Sequence, residues 1–399
     1  MILIPNEARP ARSHTKEETT AMKFGIFFEL SVPRPWTHDS ERIVYENALE
    51  QAALADEVGF DYAWAVEHHF LEEYSHCSAP ELFLTAIAMR TKRIRVGHGI
   101  IVCVPEYTHP IKVAERTAVL DILSGGRLEV GTGRSATWCE LGGFRANPDE
   151  TKKTWDEYVH CLPKMWTQER YSYEGRSWSM PERAILPKPY QKPHPPMWVA
   201  VTSPGTEIDA AERGMGALGI SYDPLPVQEK KLQEYRRRIK NCEPVGEIIN
   251  NHCAALTFLC CNEDDKVGIK DGTAMFMHFG LLANQIVMCR EAYPTKSYPS
   301  AGLLPAVRSQ AQGPSDTGGV PQGVAIGDPE RITKTLKAWE SAGFDSINFL
   351  TNAVEMLPQE QVLNSIRLFG KHVIPHFKRD HQPTIIPVNR EGVVAAGAR

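Results

Sequence analysis

From residue 22 onward, short β-branched or aromatic runs alternate with amphipathic stretches. This alternation restricts the chain to a parallel α/β architecture. "KFGIFF" (23–28) reads as a first strand. The helix after it is opened by Asp39 or Ser40 and carries Val44, Ala48, Ala52, Ala55 and Val58 along one face. Gly59 ends that helix, and "DYAWAVEHH" (61–69) is the second strand. A short helix (80–90, Pro80 in its first turn), a third strand (93–102), a helix (110–123) stopped by "SGG" and a fourth strand (127–134) continue the series. Beyond a helix over 149–167 and a hairpin over 171–178, strands are expected at 197–203, 216–222, 254–260 and 346–350. Their helices start near 205, 226, 263 and 358. Eight strands, each followed by a helix, make a closed (β/α)8 TIM barrel with insertions. The alternative is an open doubly wound sheet, but no GxGxxG turn follows the first strand. "DEVGFDYAWAV" (56–66) and "ESAGFDSINFL" (340–350) echo one another, both running from helix through glycine, phenylalanine and aspartate into a strand.

The barrel is expected to span 22–378, between a polar tail at 1–21 and a C-terminal tail at 379–399. Segment 264–325 breaks the rhythm and is rich in Pro, Gly and Ser from 294 to 321, as a lid over a binding site would be. A net charge of −5 leaves no electrostatic footprint for nucleic acid or an anionic membrane surface. No apolar run approaches the ~18 residues that span a bilayer, and the N-terminal stretch lacks a signal-peptide core. The nine cysteines form no CxxC or zinc-type spacing and sit mostly in apolar surroundings, as reduced core thiols do. These features point to a cytoplasmic protein with no metal site.

In such barrels chemistry gathers at the C-terminal ends of the strands. The residues hardest to explain as packing fall there: Glu67, His68 and His69 after strand two, His98 and Gly99 on strand three, "GTGR" (131–134) on strand four, and Thr202 and Ser203 after strand five. Adjacent residues of a regular strand face opposite sides, so His68 and His69 make a poor pair of metal ligands. Each imidazole is either a satisfied structural group or a proton carrier with a pKa near ~6.5. The glycines of "GTGR" permit either a tight turn or close approach to a ligand, with Arg134 holding an anion. Ser203 and Thr206 either cap the next helix or, with Arg134 from the neighbouring strand, seat a phosphate. Phe28, Trp36, Trp64, Trp138 and Tyr222 suggest an apolar or aromatic ligand, or equally core packing.

"EHHF" (67–70), "RTKRIRVGHGIIV" (90–102), "HPIKVAERTAVLDILSGGRLEVGTGR" (109–134), "VAVTSPGTEIDAAERG" (199–214) and "VAIGDPERITKTLKAWESAGFDSINFL" (324–350) together resemble the bacterial luciferase-like flavin-dependent monooxygenase family. The resemblance covers essentially 22–378 and implies a (β/α)8 barrel that takes reduced FMN from a separate NAD(P)H-dependent reductase. With dioxygen it would oxygenate a small organic substrate. By this likeness His68 is the catalytic histidine at the flavin's reactive edge, Glu67 braces the base of the site, and His69 supports His68 from behind. The implied cofactor-binding set is His98, Gly99, Ile100, Gly133, Arg134, Thr202, Ser203 and Thr206. Within it, Gly99–Ile100 would form a non-prolyl cis peptide behind the flavin, and Arg134 would hold the FMN phosphate. Position 202 is threonine where luciferase has glutamate, and position 133 is glycine where luciferase has cysteine, so no thiol chemistry is expected there. The resemblance also implies a homodimer. Two other readings share the fold: a deazaflavin-dependent hydride-transfer enzyme, for which an aspartate before the histidine is more usual than "EHHF", and a non-catalytic flavin-binding protein.

Overall fold

A computed structural model describes residues 22–135, 137–203, 205–219, 225–287, 294–296, 323–377 and 384–388. Eight parallel strands close on themselves: β1 (Lys23–Phe28), β2 (Tyr62–Ala65), β3 (Arg95–His98, resuming at Ile101–Val102), β4 (Leu128–Gly133), β5 (Met197–Val201), β6 (Gly216–Gly219), β7 (Cys253–Cys261) and β8 (Ser346–Leu350). Each pairs with the next in chain order, and β8 pairs back onto β1 with Ser346 opposite Lys23. The strands read as near-continuous apolar runs because both faces are covered, and all nine residues of β7 are buried.

The helices of the outer layer are α1 (Ser40–Val58), α2 (Pro80–Arg90), α3 (Pro110–Leu123), α4 (Thr151–Thr167), α5 (Thr206–Glu212), α6 (Leu225–Ile239), α7 (Asp265–Val287), α8 (Pro329–Ser341) and α9 (Gln359–His372). The internal echo is a structural repeat. Gly59 (φ 106°) and Gly343 (φ 94°) turn the chain out of α1 and α8 in the left-handed region that glycine tolerates. Phe60 and Phe344 are buried, and the aspartates that follow do the same work. The Asp61 carboxylate accepts from the Phe24 N–H (2.9 Å), and that of Asp345 accepts from the Cys253 N–H (2.6 Å). Each aspartate pins the start of a neighbouring strand, which fixes register before the ladder begins.

Two expectations, on the end of the second strand and on the strand count, need correction. The second strand stops at Ala65 rather than running to 69, so Glu67, His68 and His69 lie on the loop beyond it. The helix expected near 263 is α7, 23 residues long, whose Phe276 and Phe279 pack edge-on against Phe258 of β7. Of the expected lid, 288–293 and 297–322 lie outside the described residues, as do the tail 1–21 and Tyr222. Within the expected C-terminal tail, Ile385–Pro387 forms an antiparallel pair with Ile248–Asn250. Ala325–Gly327, not anticipated as a strand, pairs in parallel with the end of β7.

Among the described residues no helix is long and apolar enough to cross a membrane. Cys77, Cys103, Cys161, Cys253, Cys260 and Cys261 are free and buried.

Candidate active site

The strand order puts Glu29, the 67–69 loop, Gly99–Ile100, Arg134 and Ser203 side by side around the C-terminal mouth, one after each of β1 to β5. Backbone strain gathers on the same rim. Leu30, Phe70, Ser135, Arg145 and Glu355 have φ between 50° and 65°, a region that costs side-chain-bearing residues energy, and all five follow β1, β2, β4 or β8.

The early end of β2 has a chemical substitute. Where β2 would have continued the ladder, Oε2 of Glu67 accepts from the Val102 N–H at 2.6 Å. The carboxylate therefore stitches the loop to the resumed part of β3, and its Oε1 takes a hydrogen bond from Nε2 of His69 at 3.3 Å.

His68 and His69 converge on one buried carboxylate, Glu140, in the short helix Trp138–Gly143 after β4. Its Oε1 accepts from Nδ1–H of His68 (2.9 Å) and from the backbone N–H of His69 (2.9 Å), while Oε2 accepts from the Ser135 hydroxyl (2.8 Å). A carboxylate only accepts, so the Nδ1 proton of His68 is fixed and Nε2 is left as its working edge. Burial alone would lower the pKa of His68. The adjacent Glu140 charge and hydrogen bond, with Glu29 and Glu67 further off, outweigh it and raise the value to about 9. His69 instead turns its ring into an aromatic cluster, 4.9 Å from Phe144 and 5.7 Å from Tyr107. One histidine is thus poised by charge and the other packed by rings.

Glu29 completes the group. Its carboxylate is 2% exposed, accepts from the Tyr74 hydroxyl at 3.2 Å through Oε1, and holds Oε2 3.8 Å from Nε2 of His68. Burial raises its pKa to about 7, opposed in part by His68 and Tyr74. Neither Glu29 nor Glu140 was anticipated. Glu29 sits immediately after β1, where the strand-end rule could have found it. Glu140 lies 72 residues from His68, in a short helix that carries no sequence signal for the contact.

The other anticipated residues separate into rim and support. Arg134 lies on the rim, donating from Nη1 to the Thr151 hydroxyl at the start of α4 (3.3 Å). Thr202, Ser203 and Thr206 surround the start of α5, whose cap is Gly205 (φ 84°) with no side-chain cap bond, so neither Ser203 nor Thr206 is a helix cap. His98 is 1% exposed, with its pKa driven down to about 4 by burial.

The glycines answer to strand packing. A Cβ on Gly131 would meet the His98 carbonyl oxygen at 1.9 Å, and one on Gly133 would meet Ile100 at 2.6 Å. Gly99 packs in the same way on Phe27. The Gly99–Ile100 peptide is not cis; the cis bonds among the described residues all precede proline, at Pro35, Pro187 and Pro193. Two of the proposed ligand aromatics are core. Trp64 is fully buried against Trp198, and Phe28 packs edge-on to Phe83. No group of three or more His, Cys, Asp or Glu among the described residues is placed to hold a metal ion.

Residues 22–346 match the family model described as luciferase-like monooxygenase. The chain belongs to this family. The oxygenase component of a flavin-dependent trigonelline monooxygenase from Acinetobacter baylyi is 24% identical over 335 residues, 82% of this chain and 88% of its own. Among solved structures, the monooxygenase RslO1 from Streptomyces bottropensis superposes with a TM-score of 0.70 at 27% identity, covering 89% of this chain and 99% of its own. The oxygenating constituent of 3,6-diketocamphane monooxygenase from Pseudomonas putida, solved with FMN, has the same fold (TM-score 0.70, 20% identity, 89% and 98% covered). For a luciferase-like monooxygenase, the ring of strand ends described above is where the chemistry of the fold belongs.

Proposed function

We propose that this luciferase-like monooxygenase is the oxygenase component of a two-component system that takes reduced FMN from a separate NAD(P)H-dependent reductase and oxygenates a small apolar or aromatic substrate with dioxygen. The observation that carries the reading is His68, held in one orientation by Glu140 at the mouth with its Nε2 edge turned towards the buried Glu29 carboxylate. The mouth fits a flavin. Arg134 offers a guanidinium for the phosphate, and Ser203 and Thr206 offer hydroxyls beside it at the start of α5. Reduced FMN would supply the electrons that activate dioxygen. The chain's own residues do the rest. Arg134, Ser203 and Thr206 bind and orient, the barrel wall around Gly99, Ile100 and Gly133 excludes water, and His68 holds a proton at Nε2 for transfer to a reacting oxygen. Phe70, 56% exposed beside the His69, Phe144 and Tyr107 rings, supports an apolar substrate.

The direct test is oxygen uptake with a generic flavin reductase across aromatics, alkanes, sulfur compounds and aldehydes. Product formation dependent on both reductase and substrate supports the reading. Tight binding of a deazaflavin with none of FMN would overturn it. Within the same assay, Arg134→Ala is expected to weaken FMN affinity by roughly 10- to 100-fold, the worth of a charged hydrogen bond. Titration of flavin fluorescence measures this, and unchanged affinity would remove Arg134 from the phosphate site.

We also read the protein as a homodimer. Leu82 and Met89 on α2, with Val119, Ile122 and Leu123 on α3, are exposed apolar side chains on adjacent helices tied by Arg116 to Glu81 (2.9 Å). Five large apolar side chains exposed on two neighbouring helices support a surface that a second copy covers. Light scattering should give twice the mass of the chain, and the double variant L82E/M89E should give the monomer. A monomeric wild type would sink this reading.

A further inference from the structure

The Glu29 carboxylate is buried with one oxygen unsatisfied, and neither packing nor strand pairing accounts for it. Ser75 fixes its backbone by donating to the Glu29 carbonyl (2.5 Å), and Tyr74 donates to Oε1. Leu30, next in the chain, takes a left-handed φ of 55°. Oε2 is buried and has no hydrogen-bond partner, yet it faces Nε2 of His68 at 3.8 Å. That separation is too long for a direct bond, but two groups so placed can both reach one oxygen atom about 2.8 Å from each. A buried polar atom left open in this way costs stability, and such openings concentrate where a reactant or a proton must pass.

We propose that Glu29 is a positioning residue that governs the proton on the Nε2 edge of His68, the edge Glu140 leaves free. The proposal rests on the reading of His68 as the working group of the site.

The groups facing this pair are few. Glu140 holds Nδ1 of His68, Glu67 lies within electrostatic range of the same ring, Tyr74 holds Oε1 of Glu29, and the buried Cys77 thiol is pushed upward by its burial and by Glu29. Glu29 is the carboxylate on the Nε2 side, so its charge bears on the proton there. As a carboxylate it holds the imidazolium. As a neutral acid it can return a proton to Nε2 after His68 has given one away. The protons balance: Nε2–H passes to the accepting oxygen and leaves a neutral imidazole. The acid proton of Glu29 then restores Nε2–H and leaves a carboxylate, which Tyr74 hydrogen-bonds until solvent reprotonates it. With burial bringing Glu29 to about 7, both of its forms are available near neutral pH.

The test is a ring-nitrogen NMR titration of the full chain without flavin or substrate, with His68 assigned by comparison with His68→Gln. It therefore reads out independently of whether the protein oxygenates anything. In the wild type His68 should titrate near pH 9. Glu29→Gln should lower that value by about one pH unit or more, because a carboxylate within ion-pair distance is lost. Glu29→Asp should keep most of it. In the reductase-coupled assay, where substrate turnover is found, the alkaline limb of the kcat profile should move down by the same amount in Glu29→Gln. Should Glu29→Gln fail to fold, Tyr74→Phe tests the same chain of contacts, since it raises Glu29 further and should lower His68 by a smaller step. A His68 titration that neither substitution moves overturns the proposal.

Discussion

Replacing His68 with alanine is expected to lower substrate oxygenation by about 10²- to 10⁴-fold, the usual worth of a positioned proton carrier. FMN affinity should hardly change. The ring touches Glu140 at Nδ1 and faces Glu29 at Nε2, whereas the groups proposed for the phosphate sit after β4 and β5. Removing the ring therefore takes away a proton and leaves the anchor. Two measurements decide it: flavin titration by fluorescence, and product yield per reductant consumed, since reductant spent without product is the expected mark of a site that has lost its proton carrier. Full coupling in His68→Ala would show that another group carries the proton. Equal loss of binding and turnover would make His68 part of the flavin seat instead.

Glu140→Ala is expected to be the most disruptive single change in the site. Glu140 is fully buried and accepts from His68, His69 and Ser135 together. Its removal strands three donors and a buried imidazole, a loss of roughly 3–5 kcal/mol by analogy with other broken buried pairs. A pH signature accompanies it. The folded pKa of His68, about 9, stands above its ordinary 6.5, so its stabilising contribution is complete below pH 6.5 and is lost as pH rises through 9. Glu29 is raised as well, from 4.5 to about 7, and acts in the same direction over a lower window. Wild-type stability should therefore fall between pH 6.5 and 9 in urea titrations. In Glu140→Ala the slope over that window should flatten, because the partner that holds the His68 proton is gone. A slope unchanged by the substitution would mean that the pair does not bind the proton as the geometry implies.

Strand β2 ends earlier than its residues suggest. "YAWA" was legible as a strand, but so was the continuation through His69, because nothing in "VEHH" marks an end. The end is fixed by contacts to residues distant in sequence, with Glu67 taking the Val102 N–H and Glu140 taking that of His69. The separation of the two histidines was anticipated from strand alternation. It is achieved instead by a loop that sends one ring to a carboxylate and the other to Phe144 and Tyr107. "GTGR" shows the converse. Its glycines suggest either a tight turn or close approach to a ligand, and a side chain at Gly131 or Gly133 would also collide with the His98 carbonyl or the Ile100 side chain.

The barrel was determined by the sequence alone. A parallel (β/α)8 ring follows from the order of strands and helices, and the order of strands places each strand end beside the next. Helix periodicity, the Gly-Phe-Asp entries at 59–61 and 343–345, and the polar residues at strand ends are all local signals. What only the tertiary structure decided is the protonation of that rim. Glu29 follows β1 and Glu140 follows β4, yet both close on a histidine after β2. A carboxylate acts on an imidazole only across a few ångströms of low-dielectric space. Spacing along the chain carries no information about which acid will be buried at that distance.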